Sequence, residues 1–130
     1  MNLPRLPTDK ISAIYCDIDV PFEKFRTSPE IFNINGVLLT LQARDKVAGI
    51  KAKIRMSSGG NTHLVVFLKE PVCTLRYIQI RAALGDDPQH LACDLNRMFR
   101  FGDDTARQNL TADKKIKQGR LVSAGAWEPL

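Results

Sequence analysis

Two polar insertions interrupt apolar, strand-like runs in this chain. The first is Asp17-Ile18-Asp19, which ends the run Ile11-Ser12-Ala13-Ile14-Tyr15-Cys16. The second is Ser57-Ser58-Gly59-Gly60-Asn61-Thr62-His63, which leads straight into Leu64-Val65-Val66-Phe67-Leu68. Side chains alternate along a strand, so Asp17 and Asp19 leave one face, about 7 Å apart, and His63 shares a face with Val65 and Phe67. Two carboxylates so spaced can offer oxygen ligands to one Mg²⁺ or to a metal pair, with phosphate oxygens and water completing the shell. Serine hydroxyls and the amides of a glycine turn make a concave donor nest for phosphate. Arg55 faces the same side as Ser57 and adds a fixed positive charge. His63 can donate to a phosphate or move a proton. Asp17, Asp19 and His63 are therefore the candidate catalytic groups, and Arg55, Ser57, Ser58, Gly59, Gly60 and His63 the candidate phosphate binders. Each has a plainer alternative: solvated carboxylates at a strand end, and a hairpin turn that contains a histidine.

These residues need elements to place them. Residues 11–19 read as a strand, which Pro21 ends because proline cannot donate to a ladder. Ser28-Pro29-Glu30 is a helix start for a segment reaching about Arg44, with Ile31, Ile34, Leu38 and Leu41 near helical spacing. Gly36 and the β-branched residues leave strand as an alternative there. Residues 50–56 alternate, with Ile50, Ala52 and Ile54 on one face and Lys51, Lys53 and Arg55 on the other. Residues 57–62 make a turn and 63–69 a third strand, which gives an antiparallel hairpin. Thr74 caps a helix through Leu84 that Gly85 terminates. Asp87-Pro88 starts another helix, 88–100, with the stripe Leu91, Leu95, Met98 and Phe99. Gly102-Asp103-Asp104 is a turn. Residues 109–113 and 120–124 read as short strands around the basic loop Lys114–Lys117, and Trp127 docks the tail. The order β–α–β–β–α–α–β predicts an α+β sandwich of the ferredoxin-like, RNA-recognition-like split β-α-β type. It has a mostly antiparallel sheet with helices on one face. That arrangement sets the first and third strands side by side at the sheet centre and lets Asp17, Asp19 and His63 meet on the open face.

A length of 130 residues predicts one domain, with residues 1–9 a loose leader and 118–130 a tail. Hydrophobic content of 44% with 25% charged residues is that of an ordinary globule, and no apolar run is long enough for a membrane span. The proline-bearing start is not a signal peptide. Cys16, Cys73 and Cys93 are odd in number and far apart, which argues against a disulfide framework and suits small buried residues of a cytoplasmic protein. A net charge of +5 favours polyanionic partners, nucleic acid first. Lys51, Lys53 and Arg55 form a track toward the serine turn, and Tyr15 adds an aromatic surface. Arg76, Arg81, Arg97, Arg100 and Arg107 read as solvated helix faces. Asp86 and Asp87 read as turn and cap residues, His90 as an exposed first-turn residue, and Asp94 as the i,i+3 partner of Arg97. No Walker loop, Rossmann fingerprint or nucleophile elbow occurs.

Taken together, Ile14-Tyr15-Cys16-Asp17-Ile18-Asp19, the Ser57–His63 segment and Ala92-Cys93-Asp94 resemble the three ordered motifs of the archaeo-eukaryotic primase superfamily, the primase-polymerase catalytic core. The chain is also similar to short proteins of archaea and their viruses and plasmids that share the serine–glycine–histidine strand followed by a stretch like Ile80–Pro88. That second resemblance covers roughly residues 11–115. The primase resemblance implies an RNA-recognition-like core and two-metal nucleotidyl transfer. In it Asp17, Asp19 and Asp94 would hold Mg²⁺ or Mn²⁺, and His63 and Ser57 would contact a nucleoside triphosphate. Two departures stand out: Asp94 reads as helical where the family places its acid on a strand, and the chain is short for a polymerase. The expectation is a nucleic-acid-associated replication protein, in the host cytoplasm if viral, with a possible metal-dependent transferase activity. The alternatives are a non-catalytic single-strand-binding module or an accessory protein that makes protein contacts.

Overall fold

A computed structural model describes residues 11–44, 47–101, 114–117 and 120–130. Strand β1 (Ile11–Pro21) leads through a one-turn helix α1 (Phe22–Phe25) into α2 (Pro29–Ala43). The hairpin β2 (Val47–Met56) and β3 (Asn61–Val72) follows, then α3 (Thr74–Leu84) and α4 (Pro88–Phe101). The chain ends in β4 (Lys114–Lys117), β5 (Arg120–Ser123) and β6 (Glu128–Pro129). The fold is α+β, with a four-stranded antiparallel sheet in the order β1-β3-β2-β6 and a separate β4-β5 ribbon. β1, α2 and β2 form a split β-α-β unit with β3 inserted between its strands, as the element order predicts. β1 and β3 are adjacent, but β1 lies at the sheet edge rather than its centre.

Alternation fixes the two faces. Ile14, Cys16 and Ile18 of β1 lie opposite Val66, Leu64 and Thr62 of β3, and Ala52 and Ile54 of β2 continue those rows. These residues are buried under the helices with Phe25, Ile34, Leu41, Tyr77, Ile80 and Leu84. Segment 29–43 is helical despite Gly36, because Ile34 and Leu41, with Ile31, Val37 and Leu38 beside them, make one stripe that seals this face. A mid-helix glycine costs about 1 kcal/mol relative to alanine, less than that burial returns.

Local chemistry sets most boundaries. In the β2–β3 loop the Gly60 amide donates to the Ser57 carbonyl (3.0 Å) and the Ser57 amide to the Asn61 carbonyl (2.8 Å). Gly60 takes the left-handed conformation at φ +92° that such a loop demands. Gly85 ends α3 at φ +90°, and the amides of Gly85 and Asp86 turn back to the Ala82 and Arg81 carbonyls. Asp87 starts α4 by accepting from the Gln89 amide at 3.0 Å.

Several expectations need correction. Cys73, not Thr74, is the N-cap of α3; Thr74 is its first helical residue and is buried. Lys114–Lys117 is a strand, because it finds a partner in Arg120–Ser123. Of the cysteines only Cys16 is buried; Cys73 is half-buried and Cys93 exposed, since they fall at a helix start and on an outer helix face. The leader 1–9, the turn at 102–104, the strand at 109–113 and Arg107 lie outside the described residues. Among the described residues no helix is long and apolar enough to cross a membrane.

Candidate functional site

The second face of the sheet carries the polar residues. β1 and β3 place Asp17 directly opposite His63, and β3 and β2 place His63 directly opposite Arg55. β6 pairs Glu128 with Ile54, so Trp127, one position earlier, falls beside Arg55 on the same face. One row thus crosses β1, β3 and β2 and ends on the residue just before β6: Asp17, His63, Arg55, Trp127. The neighbouring row holds Tyr15, Val65 and the exposed Lys53.

The row is physically connected. Arg55 Nε donates to His63 Nδ1 at 3.2 Å. A ring nitrogen that accepts carries no proton, so the imidazole proton sits on Nε2. That nitrogen faces Asp17 Oδ1 at 4.0 Å. The Arg55 guanidinium carbon lies 4.4 Å from the centre of the Trp127 ring, a cation–π contact. Tyr15 meets the same indole at 6.4 Å between centroids and a tilt of 59°. Arg55 is only 2% exposed and His63 5%, so the predicted basic outer face of β2 is in fact partly covered by the tail. The side chain of Lys51 lies outside the described set.

The edge of β1 is held from below. The Asp17 amide donates to Asp86 Oδ1 at 2.6 Å, and the Asp87 amide donates to the Asp17 carbonyl at 2.9 Å. The α3–α4 connection therefore takes the place of a further strand at this position. This brings the first turn of α4 alongside, and His90 Nδ1 stands 3.6 Å from Asp17 Oδ2. His90 is half-buried, not the exposed helix-start residue its position suggests, because α4 leans on the Asp17 edge. Asp17 is thus flanked by two imidazoles.

Asp86 belongs to a buried ion cluster. Arg81 donates to Asp86 Oδ2 through Nε at 2.9 Å and Nη2 at 2.5 Å, and to Asp94 Oδ2 through Nη1 at 2.7 Å. Arg81 is fully buried, which corrects its reading as a solvated helix residue. Burial alone would lower the Arg81 pKa; Tyr77, Asp86 and Asp94 outweigh it and raise it, so the guanidinium stays charged. Burial raises the Asp86 carboxyl above its ordinary value, and Arg81 and the Asp17 amide pull it back only in part. The two-nitrogen contact with Arg81 favours its ionised form. Burial likewise pushes the Cys16 thiol and the Tyr77 hydroxyl up.

The acid trio implied by the primase resemblance is not assembled. Asp94 sits on α4 at 1% exposure, its Oδ2 held by Arg81, with Arg97 Nη1 3.9 Å from Oδ1. Asp19 is exposed and accepts from Asn61 Nδ2 at 3.1 Å. Two buried atoms on α4, His90 Nδ1 and Asp94 Oδ1, have no hydrogen-bond partner among the described residues. Still, among the described residues no group of three or more histidine, cysteine and carboxylate side chains gathers closely enough to hold a metal ion.

The serine–glycine loop also differs from an open phosphate nest. Ser57 is buried, and its hydroxyl accepts from the Asn61 amide at 3.1 Å. With the Ser57 and Gly60 amides donated inside the turn, the loop mainly closes the hairpin. Ser58 and Gly59 form its half-buried and exposed tip. Sequence reasoning missed His90 and the position of Trp127. Each reaches the site through long-range pairing, of α4 with the β1 edge and of the tail with β2. No family model, no curated protein and no solved structure matches this chain.

Proposed function

We propose that this chain is a nucleic-acid-associated replication protein with a primase-like core, which receives a nucleotide or a single strand on the open face of its sheet. The observation that carries the reading is Asp17 opposite His63 on adjacent strands, with Arg55 beside His63. It is the pairing of acid and imidazole that the motif order implies. The net charge of +5 supports a polyanionic partner, and cytoplasmic placement is part of the same reading. In this reading Arg55 orients His63, a phosphate oxygen is received beside Asp17 and His63, and Lys53 draws in the backbone.

A metal-dependent nucleotidyl transferase would rest on Asp17 and Asp19 with Mg²⁺ or Mn²⁺. The test is incorporation of labelled nucleotides on a primed template with Mn²⁺, comparing wild type with Asp17→Ala/Asp19→Ala. Incorporation by wild type that the double variant lacks establishes the transferase; equal signals, or none, remove it. The second reading is a non-catalytic single-strand-binding module. The capture of Asp94 by Arg81 favours it, as does a second aromatic on the face. Binding that ignores chelators, survives loss of both aspartates and falls steeply with salt identifies the module.

A further inference from the structure

We propose that Trp127, with Tyr15 beside it, is a stacking platform for an unpaired nucleobase, set next to the Asp17–His63–Arg55 row. The inference deepens the reading above and rests on it: it names the ligand as a single strand or free nucleotide, not a duplex.

The tail is built onto the sheet at several points. β6 pairs with β2, the Gly125 amide donates to the Met56 carbonyl (2.7 Å) and the Leu130 amide to the Ala52 carbonyl (3.1 Å). Arg26 anchors it through Glu128 Oε1 (2.9 Å) and the carbonyls of Pro129 (2.9 Å) and Leu130 (3.1 Å). The result is a tryptophan delivered by backbone pairing to a fixed place, not one buried as core. The ring stays partly exposed, as does Tyr15. Arg55 holds the indole by its guanidinium and reaches His63 with its Nε. A base stacked on this aromatic pair therefore leaves its sugar-phosphate near Arg55, His63 and Lys53. Stacking needs a free π-face, which a base inside a duplex lacks. Each of two adjacent rows of one sheet face carries an aromatic and a cation, Trp127 with Arg55 and Tyr15 with Lys53, the rows about 7 Å apart along the strands.

Trp127 is the only tryptophan in the chain, so its emission reports on the platform directly. The experiment uses the full chain. Labelled oligothymidylate and an abasic oligomer of equal phosphate count are titrated at low salt, reading anisotropy of the oligomer and fluorescence of the protein. Wild type is expected to bind oligothymidylate with quenching of Trp127, and the abasic oligomer about 5- to 150-fold more weakly, the range for loss of one base–aromatic stack. Trp127→Ala is expected to lower affinity for oligothymidylate by a similar factor, and Trp127→Phe to recover part of it. If Trp127→Ala disturbs the tail, the abasic comparison on wild type still decides. Equal affinity of wild type for the two oligomers, or binding without quenching, overturns the platform and leaves nucleic-acid binding standing. Absence of binding to both oligomers overturns the platform and the nucleic-acid reading together.

Discussion

Replacing Arg81 by methionine is expected to destabilise the protein by about 4–5 kcal/mol at neutral pH. Breaking one buried ion pair from one side costs about 3–5 kcal/mol, because the remaining charge is left in a low-dielectric site. Here a single guanidinium serves two carboxylates, Asp86 and Asp94, at 0% and 1% side-chain exposure, which puts the loss in the upper part of that range. Such a loss takes about a quarter or more of the stability of a typical domain, about 5–15 kcal/mol. The pH dependence has a definite sign. The Asp86 carboxyl is already raised in the folded protein by burial, and Arg81 is the largest influence pulling it back. Without Arg81 it rises further above its unfolded value, so the folded variant binds its proton more tightly than the unfolded chain does. That contribution to stability is fully present below the unfolded pKa, about 4, and is lost as pH rises through the folded value. The deficit of Arg81→Met relative to wild type is therefore largest at neutral pH and narrows on acidification. Urea unfolding at neutral pH and near pH 5 measures it. A deficit below about 1 kcal/mol at neutral pH, the size of an ordinary hydrogen bond, or one that does not narrow toward acid, would refute the reasoning. The same substitution should weaken ligand binding, since Asp86 holds the β1 edge at Asp17.

Three further outcomes follow from the same geometry. Asp94→Asn leaves Arg81 paired with Asp86, so it should cost only about 1–2 kcal/mol by urea unfolding and leave oligonucleotide binding intact; lost function at unchanged stability would instead assign Asp94 to a ligand. Gly85→Ala meets open space but keeps φ at +90°, so thermal unfolding should show a backbone cost of about 1–2 kcal/mol. Arg26→Ala removes an exposed ion pair of 49% and 46% side-chain exposure and should change stability by less than about 1 kcal/mol. The same substitution should shift Trp127 emission to the red as the tail loosens.

The strands and helices that carry the site were readable because their signals are local. Alternation in 11–19 and 50–56 and the glycine stops at Gly60 and Gly85 are set by neighbouring residues. So is the shared face of Asp17 and His63, once the hairpin and split β-α-β order are accepted. What could not be read depends on pairing across the chain. Arg81 looks like any helix-surface arginine until Asp86 and Asp94, 5 and 13 residues away, close on it. His90 looks exposed until the α3–α4 connection bonds the Asp17 backbone, 69 residues from Asp86. Trp127 gains its neighbours only when two residues of β6 find β2. Asp94 shows the limit of motif order: the spacing suggests a third acid for the site, but its helix aims it at a buried guanidinium.

Amide and indole chemical-shift mapping of the full chain during titration with oligothymidylate tests the central claim most directly. The account predicts the largest changes at Tyr15, Asp17, Lys53, Arg55 and His63 and at the indole N–H of Trp127. Changes confined to the opposite side, at the α2–α3 groove lined by Val37, Leu41, Arg44, Arg76 and Ile80, or no changes at all, would contradict it.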